Sequence, residues 1–234
     1  MLYSFDLHMH TYYSKDGVCS PEVIVEAAKR RGLNGIAITD HDTCEAVDHL
    51  REAGLMREDG NPVDGFLIVP GVEVSTAEGH LLCLGVTLPN RKGRPALEVC
   101  KEVHALGGVV IPAHPYDALR AGIREEVLET LPIDALEIFN AAVTLKRYNR
   151  MAADYARQRE LGLIAGSDAH HASAVGTSYT RFDLPDLNLG NLLHAIAGSH
   201  DVVENYLTVG EAMKKHFCNW FRFVNPDPRP AKRK

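Results

Sequence analysis

Short apolar runs alternate with longer amphipathic stretches along almost the whole chain. Residues 2–7 read as a strand. Ser20 can cap, and Pro21 open, a helix that Gly32 ends. Residues 34–39 form a buried strand running into Asp40-His41-Asp42, and a polar helix follows over about 43–58. The pattern predicts a strand over 66–69 leading to Gly71-Val72-Glu73, and another over 80–86. A helix over about 95–106 stops at Gly107-Gly108, and a strand over 109–112 precedes His114. A helix near 123–130, a strand over 134–139 ending at Asn140, and a long helix over about 145–161 come next. Residues 163–165 are a strand ahead of Asp168 and His170. A strand over 177–182, a helix over 188–198 and a strand–helix pair over 202–217 complete the pattern.

Strands alternating with helices indicate an α/β fold with a mainly parallel sheet. About seven such units in 234 residues favour a barrel over an open sheet. An open sheet offers one crevice at its switch point, whereas a barrel gathers the loops after many strands at one face. Residues 1–224 read as a single domain, and 225–234 as a basic, proline-rich tail carrying Arg229, Lys232, Arg233 and Lys234. The tail reads as a solvated extension, with phosphate contact as its alternative.

Hydrophobic residues at 45% and charged residues at 24% are ordinary for a globular protein with a full core. A net charge of -6 argues against broad nonspecific nucleic-acid binding, while leaving room for a local basic pocket. The five cysteines (19, 44, 83, 100 and 218) form no close pair, which fits a reducing compartment. No signal peptide is visible and no apolar run approaches the roughly 20 residues of a membrane helix. The expectation is a cytoplasmic protein without a membrane partner.

The candidate chemistry lies at the strand ends. His8-Met9-His10 and Asp168-Ala169-His170 each place two donors two residues apart, on one face of an extended segment. His41, Glu73, His80 and His114 add further donors. Six imidazoles with a few carboxylates are too nitrogen-rich for calcium or magnesium, and suit zinc, manganese or iron. Asp16 can cap the turn before Gly17. Arg120, Lys146, Arg147 and Arg181 are candidate substrate-binding residues, because guanidinium and ammonium groups pair with phosphate. For Lys146 and Arg147, the alternative is a solvated helix charge. Asn140 could orient substrate or cap the segment that follows it. Asp40 is a candidate carboxylate behind a ligand histidine, and among the remaining histidines His171 is the best candidate to support a ligand.

The series His8-Met9-His10 with Asp16, Thr39-Asp40-His41-Asp42, Gly71-Val72-Glu73 with Gly79-His80, Pro112-Ala113-His114-Pro115 and Gly166-Ser167-Asp168-Ala169-His170 resembles the PHP (polymerase and histidinol phosphatase) superfamily. The resemblance spans about residues 3–182. It implies a distorted (β/α)7 barrel with a trinuclear metal centre at the C-terminal ends of the strands. By position, one ion would take His8, His10, Glu73 and Asp168, a second Glu73, His80 and His114, and a third Asp16, His41 and His170. Asp16, Glu73, Asp168 and His170 are the candidates for catalytic roles. His80 and His114 leave room for only one helix and one strand between them. The compact branch of the family, without a helical insertion, is therefore the expectation, with a site that is open or closed by a partner chain.

The resulting expectation is a phosphoesterase with two or three divalent ions that hydrolyses a small phosphomonoester or nucleotide-type phosphate through a metal-bridging hydroxide. The rivals are an exonuclease trimming short oligonucleotides, a noncatalytic metal-binding scaffold, and a hydrolase acting on carbon centres. Expected partners are a small phosphorylated substrate and, compatibly, a second copy of the chain. Stable binding of duplex nucleic acid is not expected.

Overall fold

The structure, a computed structural model, describes residues 1–208, 210, 211 and 213. The elements in chain order are β1 (Leu2–Asp6), α1 (Pro21–Arg30), β2 (Gly35–Ile38), α2 (Glu45–Glu52), β3 (Leu67–Ser75), β4 (His80–Leu84), α3 (Ala96–Ala105) and β5 (Val109–Pro112). A single 3-10 turn (Ala118–Arg120) leads to α4 (Glu125–Leu128), β6 (Ala135–Asn140), α5 (Lys146–Gln158), β7 (Gly162–Gly166), β8 (Tyr179–Asp183), α6 (Leu189–Ile196) and β9 (Asp201–Val203). Of the expected helix after 203, residues 210, 211 and 213 are helical and 204–208 are not; its remainder, the tail, and with them the boundary at 224, His216 and Cys218, lie outside the described residues.

Local chemistry accounts for the helices. In α1, the Ser20 hydroxyl accepts from the Val23 amide, Pro21 occupies the first turn, and Lys29 and Arg30 sit in the last turn. Ile24, Val25, Ala27 and Ala28 form its buried stripe. In α6, the Asn188 side chain accepts from the Asn191 amide in the same way. The predicted helix near 123–130 is reduced to the four residues of α4.

Seven strands form one mixed sheet in the order β5-β4-β3-β2-β1-β8-β9, and β6 pairs with β7 in a separate ribbon. β1, β2 and β3 are parallel, as are β6 and β7. The expectation of a mainly parallel sheet is corrected elsewhere. β3, β4 and β5 form an antiparallel meander, and β8 and β9 are antiparallel to their neighbours. The physical reason is the short link 76–79 between β3 and β4, which is too brief for a crossover helix and long enough for a hairpin. The β6–β7 ribbon meets the sheet on both sides. The Asp134 amide donates to Val110 O at 3.0 Å, and the Ala165 amide to the Thr180 hydroxyl at 2.8 Å.

The result is a mixed α/β fold whose sheet curls into a half-barrel. Inside the curl, Phe5, Leu7, Ala37, Leu67, Val69, Leu82, Leu84, Ile111, Ala135, Ile164 and Phe182 pack into one cluster, joined by Leu192 and Ile196 of α6. Period two sorts the neighbours outward: Ile36 and Ile38 face α1 and α2, while Val72, Val74, Leu81 and Cys83 face α3. Among the described residues, Cys44, Cys83 and Cys100 are free thiols. Among the described residues, no helix is long and apolar enough to cross a membrane.

Candidate metal centre

His8 and His10 leave the end of β1, His41 the end of β2, His114 the end of β5, and Asp168 and His170 the end of β7. Glu73 lies within β3. His80 opens β4 instead of following a strand, and the antiparallel return is what brings it to the same rim: Ser75 pairs with His80. The segments after β1 and β7 are tied directly together. The Asp168 amide donates to His8 O, and the His10 amide to Ala169 O, both at 2.8 Å.

All nine predicted donors come together, the six histidines converging on Glu73, Asp168 and Asp16. Glu73 Oε2 lies 3.3 Å from His8 Nε2, 3.2 Å from His10 Nε2 and 3.2 Å from His41 Nδ1. Glu73 Oε1 lies 2.8 Å from His80 Nδ1 and 3.1 Å from His114 Nε2. Asp168 Oδ1 is 3.3 Å from His10 Nε2 and 3.4 Å from His170 Nδ1. Asp16 Oδ2 is 2.9 Å from His170 Nε2 and 3.7 Å from His41 Nε2. His8, His10, Glu73, His114, Asp168 and His170 are buried, while Asp16, His41 and His80 line a rim.

Four overlapping donor groups have the compactness that an ion requires: His10 with Asp16, His41 and His170; His8 with His114 and Asp168; His8 with His10 and Glu73; and His41 with Glu73 and His80. The atoms fit a metal better than they fit one another. His8 Nε2 and His10 Nε2 face each other at 3.3 Å, yet two neutral imidazole nitrogens aimed at one point repel unless a proton or a cation lies between them. Asp168 Oδ1 is buried without a hydrogen bond. For metal–nitrogen bonds of about 2.0–2.1 Å, neighbouring tetrahedral ligands stand roughly 3.3 Å apart, the spacing found here.

Electrostatics follow from this crowding. Burial pulls the His10 imidazole down, but Asp168 and Glu73 outweigh it and raise the group to about 9. His8 is driven the same way, against burial, by Asp168, Glu137 and Glu73. Burial pushes Glu73 and Asp168 up, but the histidines, with Arg120 for Asp168, hold both well below the usual carboxylate range. His41 is lowered to about 4, chiefly by burial.

Of the substrate-binding candidates, Arg120 and Asn140 reach the cluster. Arg120 is paired with Asp168 and donates to Asn140 Oδ1 at 3.3 Å. Asn140 Nδ2 donates to Asp168 Oδ2 at 3.1 Å. Lys146 instead lies over the Tyr206 ring, Arg147 over that of Tyr148, and Arg181 pairs with Asp201. Asp40 does not touch a histidine ring. It accepts from the Thr11 amide and hydroxyl and from the Ser14 amide, and Ser14 Oγ in turn meets His10 Nδ1 at 3.2 Å. His171 Nδ1 accepts from the Ser173 amide.

Sequence reasoning missed Glu137 and Asp6, two buried carboxylates behind the ligands. Glu137 Oε1 lies 2.9 Å from His8 Nδ1. Asp6 accepts from the Ser167 amide at 3.0 Å and the Gly176 amide at 2.8 Å, and burial pushes its carboxyl up to about 6. An acidic residue inside an otherwise apolar strand, as in Ala135-Leu136-Glu137-Ile138-Phe139, was the available signal.

The cluster lies between two cavities. A cleft of 990 Å³ on one side is lined by Tyr12, Tyr13, Lys15, Asp16, His41 and His80, among others. A smaller cavity of 460 Å³ on the other includes Arg120, Asp168, His170, Ala174 and Leu207.

Comparison with known proteins bears on the family and the fold. The family model described as PHP-associated matches residues 146–198. The uncharacterised protein MJ1587 of Methanocaldococcus jannaschii is 30% identical over 146 residues, covering 58% of this chain and 81% of that protein. The probable phosphatase YcdX of Escherichia fergusonii is 28% identical over 208 residues, covering 75% and 82%. The 5'-3' exoribonuclease Rnm of Salmonella typhimurium is 36% identical over 88 residues, 36% of this chain and 28% of that one. In three dimensions, the chain is similar to a two-domain protein of Bacteroides vulgatus described as containing a predicted PHP-like metal-dependent phosphoesterase (TM-score 0.70, 19% identity, covering 93% of this chain and 69% of that one). It is also similar to Endonuclease Q in complex with a 27-mer duplex carrying an abasic lesion (TM-score 0.64, 23% identity, 84% and 56%). At these identities, the structural likeness bears on the fold alone. The fold and its donor cluster define a PHP-type protein. The chain belongs to the PHP superfamily. Because a protein of this fold holds a duplex, the fold gives no ground for the expectation that duplex nucleic acid is excluded.

Proposed function

We propose that the chain is a metal-dependent phosphoesterase that hydrolyses a small phosphomonoester or nucleotide-type phosphate, with the donor cluster as its active site. The observation that carries this reading is the convergence of six histidines on Glu73, Asp168 and Asp16 beside the half-buried Arg120. The curled sheet is read as a distorted (β/α)7 barrel that gathers these donors at one rim. His8, His10, Glu73 and Asp168 would hold one ion, Glu73, His80 and His114 a second, and Asp16, His41 and His170 a third. When bound, such ions supply Lewis-acid neutralisation of phosphoryl oxygens and lower the pKa of water.

The protein's own groups set up the rest. Glu73 has five imidazoles around its two oxygens, so it ties the buried and rim halves of the site together. Arg120 presents a guanidinium at the wall of the smaller cavity, where two parallel N–H groups match a phosphate edge. Asn140 steadies that guanidinium through its side-chain oxygen. Asp16 and His170, at 2.9 Å, form a proton-holding pair near the cleft. A second reading, exonucleolytic trimming, draws on the likeness to the exoribonuclease and on the Tyr12 and Tyr13 rings at the cleft, 4.9 Å apart.

The test is metal analysis with a phosphate-release panel on wild type and the variants His10→Ala, Asp168→Ala and His170→Ala. The expected result is at least two retained ions in wild type, and turnover lowered by roughly 100-fold or more in each variant, the scale of losing a group that acts in the transition state. Fewer than two ions, or unchanged turnover in all three, overturns the reading. Cleavage that grows with oligonucleotide length would select the exonuclease over the monoesterase.

A further inference from the structure

We propose that Glu137 is a positioning residue of the metal centre: it fixes the ring of His8 and the backbone of His114 so that both Nε2 atoms face the cluster. This rests on the metal-centre reading above and extends it to a residue that none of the four donor groups contains.

A neutral imidazole offers a lone pair at one nitrogen only, and the hydrogen bond at the other nitrogen decides which one. His8 Nε2 points at Glu73 and His10, so His8 Nδ1 must carry the proton, and Glu137 Oε1 stands 2.9 Å from it. Glu137 Oε2 takes two more donors, the His114 amide at 2.6 Å and Asn140 Nδ2 at 3.0 Å. With three donors on its two oxygens, Glu137 acts as an acceptor and has little left to offer an ion. The His114 contact matters because this histidine has φ +30, a left-handed backbone that a side chain disfavours. Its ring has no hydrogen bond at Nδ1, so the backbone is where it is held. The same carboxylate reaches Asp168 through Asn140, whose Nδ2 is shared between Glu137 Oε2 and Asp168 Oδ2.

Two features of the backbone exist around this contact. The pairing of β6 with β7 slips by one residue: Glu137 pairs with Ile164, but Phe139 pairs with Ala165. In a regular strand, residues 137 and 140 would face opposite sides. The slip lets Glu137 and Asn140 both face the cluster, the re-aiming that a bulge provides. On β7, a Cβ on Gly166 would lie 2.8 Å from Glu137 Oε1 and 2.7 Å from His8 Cβ. Glycine at this position leaves room for the carboxylate and the imidazole to meet.

The test uses the full-length protein loaded with zinc. In Glu137→Gln, either orientation of the amide turns its NH2 toward a donor, His8 Nδ1–H on one side or the His114 amide and Asn140 Nδ2 on the other. Chelator competition should show at least one zinc ion held roughly 10–100-fold more weakly than in wild type, the usual cost of losing such a partner. Independently, nitrogen-15 imidazole spectra of the zinc-loaded wild type should find His8 protonated at Nδ1 and bare at Nε2. That measurement decides the matter even if the variant fails to fold. A His8 protonated at Nε2, or a folded Glu137→Gln that keeps every ion at wild-type affinity, overturns the proposal while leaving the metal centre standing. A wild type that retains no zinc overturns both.

Discussion

His10 shows at the scale of one side chain what the cluster does in the absence of metal. Its Nε2 lies 3.2 Å from Glu73 and 3.3 Å from Asp168, and the imidazole is raised to about 9 even though burial opposes this. In the unfolded chain, a histidine titrates near 6.5. The metal-free fold therefore binds this proton more tightly than the unfolded chain does. The resulting stability is fully present below about pH 6.5 and is lost as pH rises through about 9. Asp6 has the same sign in a lower window: its carboxyl is raised to about 6 by burial, so its part is lost as pH rises from about 4 to 6. The metal-free protein is expected to melt at progressively lower temperature from pH 6.5 to pH 9. With metal bound, the cation replaces the proton and the decline should be absent. Calorimetry of chelator-treated and zinc-loaded protein checks this, and a flat profile for the chelated form would count against it. The candidate donors were legible because all but Asp16 sit in short motifs next to an apolar run. Glu137 was not, because alternation counted back from Asn140 puts it on the wrong face, and only the slipped β6–β7 pairing reverses that.

The elements were readable where local chemistry dominates. Ser20-Pro21 opens α1, and Asn188 caps α6, where period and cap agree. Strand partners were less readable, because an isolated apolar run does not state which way its neighbour runs. Thus β3–β4–β5 reads as alternating units in sequence and folds as a meander. The sheet places its own demands on single residues. Gly35 opens β2 between β1 and β3, and a Cβ there would lie 2.3 Å from the Phe5 ring and 2.4 Å from Leu67 O. The ring could turn, but the carbonyl belongs to the paired strand and cannot move without breaking register. Gly35→Ala should therefore destabilise the fold by about 1–3 kcal/mol, the usual cost of overpacking. Urea denaturation would read this as a lower midpoint with an unchanged slope. An unshifted midpoint would mean that β1 and β2 are not packed this closely.

At the scale of the molecule, the charge around the site sets what can approach it. The 990 Å³ cleft is lined by two lysines, Lys15 and Lys92, and by four acidic residues outside the buried centre: Asp16, Asp42, Glu45 and Asp48. Cations at the proposed centre would offset the inner acids, but Glu45 and Asp48 lie on α2, beyond the donor groups. On the proposed function, a substrate with a single phosphate would meet the metals and little of this field, whereas a polyanion extended along the cleft would run past both carboxylates. The net charge of -6 acts in the same sense at longer range. Replacing both carboxylates, as Glu45→Lys with Asp48→Lys, should raise kcat/KM for short oligonucleotides by roughly tenfold at low salt, a modest case of electrostatic steering. The gain should fade above about 0.15 M salt, where the screening length drops to about 8 Å. Turnover of a simple phosphomonoester should barely change, because its charge is met at the centre and not along the wall. Equal gains for both substrates would mean that the double variant altered the centre itself. No gain for the oligonucleotide would mean that the chain enters from the side of Arg120 and the smaller cavity, where the wall carries Leu119, Ala174 and Leu207.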